Sequence, residues 1–273
     1  MKRMSDPYLI RISSEKGGVG KTTVATNMAV ALRLVGYKVL LVDFDFSNPS
    51  VGFHLGLQEA NSGVNAAMAK RVSFANAVSM HGPTGLHVIP GEVDEKSARM
   101  PDDQKITSFL RALKKLNYNF IVIDTAPGHN PESYIQHFNE QLIITTPDIP
   151  SCAAAVRSAK RCERKRVRHG LVVNKVSGAP YELSIKEIRE MYTNNIVGSL
   201  PADPVVPASI AAHIPAYTYR KRAKFSLAVE DLSDTYASMY GKEEIMLPVR
   251  KNADGSIFSR LFSNWRFWTR RRR

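Results

Sequence analysis

The chain is poor in cysteine, with only Cys152 and Cys162 in 273 residues. Their spacing suggests neither a disulfide framework nor a metal cluster, and fits a reducing, cytoplasmic setting. Long apolar runs are also missing: no stretch reaches the ~18 consecutive apolar residues of a membrane-crossing helix. The short polar segment 1–7 has no readable secretory signal. The G-x-G-x-x-G turn of dinucleotide oxidoreductases is absent. So is any Ser-His-Asp or metal-hydrolase constellation, the seven histidines being scattered. There is no internal repeat. Acids are in deficit, 25 against 38 Lys and Arg, for a formal charge of +13. Such a surface seeks phosphate-rich partners: nucleotide, nucleic acid or anionic lipid.

What is present is alternation. Short β-rich runs over 8–13, 38–42, 86–89, 120–123, 141–145, 170–173 and 195–199 are mostly continuous apolar stretches, the mark of strands buried on both faces. Helical patterns over 21–34, 103–116, 151–164, 184–191 and 226–239 separate them. Together they predict an α/β fold: a doubly wound, mainly parallel sheet with helices on both faces, spanning 1–240.

The most informative run is Lys16-Gly17-Gly18-Val19-Gly20-Lys21-Thr22-Thr23, between the first strand and first helix. A phosphate loop needs backbone amides around the anion, a lysine as mobile positive charge and a Ser or Thr hydroxyl for magnesium. Gly20-Lys21-Thr22 supplies that ending, at a helix N-terminus whose unpaired amides favour anions. The usual glycine five positions earlier is replaced by Glu15. The extra lysine, Lys16, is expected to reach a nucleotide on a second subunit. Carboxylates follow two strands, at Asp43 and Asp45 and at Asp124, where ligands bind in such sheets. Asp124 is the expected magnesium ligand.

With these residues in register, the chain resembles the MinD/ParA class of P-loop ATPases, whose deviant loop Lys16–Thr22 matches. The resemblance covers about 8–240 and is nearest to MinD, the septum-site determinant. It implies ATP and magnesium as cofactors, an ATP-dependent sandwich dimer and hydrolysis stimulated by a partner protein. Lys16 would contact the partner subunit's nucleotide and Lys21 the phosphates. Asp45 would be the switch I aspartate that orients the attacking water. Thr22, Asp43 and Asp124 would serve the metal shell, and Asp124 and Gly128 would form switch II. Asn174 would read adenine, with Pro201 and Asp203 in the base loop. Ser50 departs from the asparagine usual in MinD proteins. Iron–sulfur relatives share the loop but need closely spaced cysteines, which are lacking.

After a linker over 241–255 comes a tail, 256–273. Residues 241–273 hold nine Lys and Arg against three acids, six of the thirteen excess charges. At about 100° per residue, Ile257, Phe258, Leu261, Phe262, Trp265 and Trp268 share one helical face. Aromatics with arginines suit the headgroup boundary of a membrane, each nearby Arg adding about 1 kcal/mol on an anionic leaflet. The expectation is a peripheral protein at the inner face of the cell membrane that positions a division site or other machinery. The rival is a ParA-like ATPase that binds nucleic acid through the basic segments 157–168 and 220–224 and partitions cargo.

Overall fold

The computed structural model describes residues 6–57, 63–92, 100–129, 132–192 and 195–240. The linker expected over 241–255 and the amphipathic tail helix over 256–273, with Ile257, Phe258, Leu261, Phe262, Trp265 and Trp268, lie outside the described residues.

The chain opens with β1 (Tyr8–Ser13), α1 (Lys21–Val35) and β2 (Val39–Phe44), followed by the short helices α2 (Val51–Leu55), α3 (Val64–Met68) and α4 (Phe74–Ala77). Next come β3 (Ser79–His81), β4 (Leu86–Ile89), α5 (Asp103–Leu113), β5 (Phe120–Thr125), a 3-10 turn (Ile135–His137) and β6 (Glu140–Thr145). The last third is α6 (Ile149–Arg164), β7 (Arg168–Val176), α7 (Ile185–Met191), β8 (Ile196–Pro201), α8 (Val205–Ala211), α9 (Ala216–Tyr219) and α10 (Lys224–Tyr240).

The strands form one eight-stranded sheet in the order β3-β4-β2-β5-β1-β6-β7-β8. All neighbouring pairs are parallel except β3 with β4, which closes one edge antiparallel. From β1 the chain first winds towards one edge and later, from β6, towards the other. The loop after β1 therefore lies at the topological switch point, where such sheets leave a crevice for ligand.

The alternation of side chains along each strand builds two cores. On β5, Phe120 and Val122 pack with α1, α9 and α10, whereas Ile121 and Ile123 pack with α3 and α5. Further along the second face, Ile143, Leu171 and Val173 meet α6 and α7. Both faces being covered, the strands need no polar alternation. Helix α1 is itself enclosed between sheet and α10, so most of it is buried.

The expected strands and helices are all present, with shifted ends. Helix α6 begins at Ile149 because Asp148 caps it by accepting from the Ser151 N–H. Helix α5 stops at Leu113, short of the expected 116, and β7 extends to both sides of 170–173. Strand β3 and the short helices α2, α3, α4, α8 and α9 escaped the pattern, since four to seven residues cannot show a helical period.

Candidate nucleotide site

The loop between β1 and α1 is shaped for an anion. Gly18 and Gly20 take left-handed φ values of 74° and 92°, which turn successive N–H groups inward. A Cβ on Gly17 or Gly18 would meet nothing within 4 Å, so both open onto space. Gly20 is the N-cap of α1, which has neither a side-chain cap nor an acid in its first turn. Its first amides are thereby left for a phosphate. Val19 is buried and anchors the loop in the core formed with α1.

Thr22 lies in the first turn of α1, and its hydroxyl donates to Oδ2 of Asp124, near the end of β5, at 2.5 Å. Ser50, the departure from the MinD pattern, donates its hydroxyl to Thr22 Oγ1 at 3.0 Å. Asp43, fully buried at the end of β2, accepts from the Ser50 and Val51 N–H groups on Oδ2 and from the Asp45 N–H on Oδ1. Asp43 is thus the anchor of the loop after β2, a supporting place behind Thr22. Asp45 lies further out and shapes the turn after it, accepting from the Ser47 and Asn48 N–H groups.

Burial pushes the Asp43 and Asp124 carboxyls above the ordinary carboxylate range, and for Asp124 the neighbouring charge of Asp43 adds to this. Burial also lowers the Lys21 ammonium, opposed by the attraction of Asp124 and Asp45. Burial thus disfavours two ionised carboxyls side by side, and a cation would favour their ionisation.

Magnesium fits the residues present. Asp124 Oδ1 is buried without a hydrogen-bond partner, beside the Thr22 hydroxyl. A carboxylate and a hydroxyl are hard oxygen donors of the kind magnesium takes together with phosphate oxygens and water. No group of three or more His, Cys, Asp or Glu that could cage a metal occurs among the described residues. A site that borrows its remaining ligands from a nucleotide needs none.

At the ends of β7 and β8, Val176, two positions after Asn174, pairs with Pro201. Asn174 is buried and donates Nδ2 to the Val19 carbonyl at 2.8 Å, which ties the phosphate loop to β7. Asp203 accepts from the N–H groups of Val205 and Phe225, joining α8 to the start of α10. Gly128 lies beside the phosphate loop, its N–H donating to the Ser14 carbonyl at 2.9 Å. Lys16 stands at the loop's mouth, 3.6 Å from Asp148, with both side chains nearly half exposed.

Three contributors were not picked out from the sequence. Lys175, in the left-handed region at φ 60°, places Nζ 2.6 Å from the Gly18 carbonyl. Glu15 pairs with Arg161 of α6 at 2.9 Å, which fixes the loop's entrance. Arg11 lies buried within β1. A lone arginine inside an otherwise apolar strand was the available signal for it.

A parallel sheet with a glycine-rich anion loop at its switch point, followed by Lys-Thr and faced by a strand-end aspartate, defines a P-loop nucleotide-binding protein. An AAA domain family model matches residues 8–145, half of the chain. An uncharacterized ATP-binding protein of Methanocaldococcus jannaschii is 30% identical over 209 residues, 76% of this chain and 78% of that one. The septum site-determining protein MinD of Helicobacter pylori is 27% identical over 210 residues, 71% of this chain and 78% of its own. The structure of MinD with Mg-ADP from Pyrococcus horikoshii superposes with a TM-score of 0.80 at 25% identity, covering 87% of this chain and all of that one. The chain belongs to the MinD/ParA family of P-loop ATPases.

Proposed function

We propose that this protein is a MinD-like positional switch, which dimerises on binding ATP, docks on an anionic membrane through residues 256–273 and is reset by hydrolysis. One observation supports the two-subunit site above others. Lys16 sits at the mouth of a loop already served by Lys21, in a half-exposed ion pair with Asp148. Such a pair contributes ~0–1 kcal/mol and is easily exchanged for a phosphate.

The chain's groups divide the work. The amides of residues 17–23 and the Lys21 ammonium hold the phosphates. Thr22 and Asp124 hold magnesium, with Asp43 behind them, and magnesium when bound neutralises charge developing on the phosphate oxygens. Asp45 orients the attacking water. Asp124 and Gly128 form switch II, which answers to the terminal phosphate. Asn174, Pro201 and Asp203 border the base. Intrinsic hydrolysis is slow, and an activating or cargo protein accelerates it.

One amphipathic tail binds a bilayer weakly and reversibly, whereas two tails in one dimer act through effective concentration. ATP occupancy thereby becomes membrane residence. The test is sedimentation with anionic liposomes of Asp45→Ala protein, in which hydrolysis is blocked. ATP-loaded protein should pellet and ADP-loaded protein should not. Equal pelleting of the two forms, or pelleting that survives deletion of 256–273, defeats the reading.

A second reading has its own observation. Helix α6 and the turn after it expose Arg157, Lys160, Arg164, Lys165 and Arg166, with Arg220, Lys221, Arg222 and Lys224 exposed elsewhere. Counterion release makes DNA binding through such faces fall steeply with salt. A salt titration with duplex DNA, using protein lacking 256–273, decides whether the body binds. Retained, steeply salt-dependent binding favours the cargo-partitioning role.

A further inference from the structure

Arg11 is a charged residue in the middle of the central strand, only 2% exposed. Its neighbours Ile10 and Ile12 point into the core with α1, so Arg11 points to the opposite face, towards α6 and the segment after β5. No carboxylate pairs with it among the described residues. Its Nη1 donates to Gln141 Oε1 at 2.6 Å and its Nη2 to the carbonyl oxygen of His129 at 2.7 Å. Its Nε is buried without a partner, and the Phe138 ring centroid lies 6.0 Å from Cζ. Burial lowers its pKa to about 10, so the guanidinium remains charged at neutral pH.

A buried guanidinium without a carboxylate partner is costly, and hydrogen bonds to two neutral acceptors offset only part of that cost. Stability therefore does not account for Arg11. What its charge holds is specific. His129 directly follows Gly128, whose N–H donates to the Ser14 carbonyl. The same short segment is thus clamped at two successive residues, by the phosphate-loop backbone and by Arg11. The fork's other arm ends on Gln141, whose Nε2 donates to Ser158 of α6 at 3.0 Å. The His129 ring meets the Tyr134 hydroxyl, and burial with the nearby Arg11 charge keeps that imidazole neutral. The carbonyl of His129, and not its ring, is the group that Arg11 takes.

We infer that Arg11 is a positioning residue for switch II, its planar fork fixing the His129 carbonyl from a rigid sheet and so holding the segment through Gly128 against the phosphate-loop backbone at Ser14. The inference rests on the reading of residues 124–128 as the segment that answers to the terminal phosphate. A lysine cannot replace it, because one ammonium lacks the fixed fork that reaches Gln141 and His129 together.

The test uses the full chain with Arg11→Met and Arg11→Lys. Hydrogen exchange over residues 124–129, followed without added nucleotide, should quicken about tenfold or more in both variants. In ATP hydrolysis, kcat should fall about tenfold or more while KM stays within about threefold, as expected of misplaced rather than missing groups. The melting temperature of Arg11→Met should stay close to the parent's, the relief of a buried charge offsetting the two acceptors it leaves unpaired. Parental exchange in Arg11→Met overturns the inference. So does restoration by Arg11→Lys, which would make charge alone sufficient, or a fall in kcat accompanied by lower melting and faster exchange across the whole sheet. A parent chain that hydrolyses no ATP defeats the proposed function, and the exchange measurement still decides on Arg11.

Discussion

The hydroxyl of Thr22 lies 2.5 Å from Oδ2 of Asp124, while the other oxygen of that carboxylate is buried with no partner. One residue lies in the first turn of the first helix and the other is the penultimate residue of the fifth strand. Their meeting sets a hydroxyl beside a carboxylate, two hard oxygens of the kind magnesium takes.

Asp124→Asn keeps the shape of that pair and removes its charge. The magnesium-dependent part of ADP affinity should fall by about 10–100-fold, as when groups supporting a metal are lost. Affinity in chelator should barely change. The metal-free variant should be at least as stable as the parent, because burial already opposes ionisation of this carboxyl. Calorimetric titration with and without magnesium, and a thermal melt, measure both.

Gly20→Ala meets two obstacles. The residue needs φ of 92°, and the added Cβ would come within 2.4 Å of Asn174 Nδ2. The left-handed backbone alone costs ~1–2 kcal/mol, and the clash displaces the side chain that holds the Val19 carbonyl. We expect a loss of about 2 kcal/mol or more and of nucleotide binding. The double variant with Asn174→Ala should recover the steric part only, a coupling that denaturant melts reveal.

Lys16→Ala should leave ADP binding within about threefold of the parent, since a half-exposed ion pair contributes little. ATP-dependent dimers should disappear in light scattering. Asp148→Ala, which releases Lys16, should retain them. Persistent dimers in Lys16→Ala would show that the extra lysine serves only its own subunit.

Asp234 on α10 gives a pH dependence of known sign. Burial, and then the charges of Glu230 and Asp231, raise its pKa from 3.8 to about 6. A carboxyl whose folded pKa is raised stabilises the fold while protonated, and that contribution is lost as pH climbs through about 6. Asp234→Asn should therefore match the parent near pH 4 and exceed it at pH 8. Urea midpoints at the two values provide the comparison.

The phosphate loop was legible because its information is local. Three glycines, Lys21 and Thr22 specify backbone and charge within eight positions, between a strand and a helix that their own residue patterns declare. Asp43, Asp45 and Asp124 were legible for a related reason, since strand ends in a parallel sheet all open on one edge. Strand β3 was not, because its three residues gain their conformation from pairing with β4. Asn174 was read as a base contact, yet the structure gives its amide a first duty on the Val19 carbonyl, 155 positions away.

The amino-acid sequence by itself determined the alternation of strand and helix, the anion-binding loop and the basic character of the chain, since periodicity and glycine dihedral freedom act over a few residues. Only the tertiary structure decided which groups share a site. Ser50 closing on Thr22, Glu15 pairing with Arg161 and Arg11 clamping His129 bridge separations of 28, 146 and 118 positions. Such contacts follow from strand order and helix packing, which place distant residues within hydrogen-bonding reach and which no local pattern encodes.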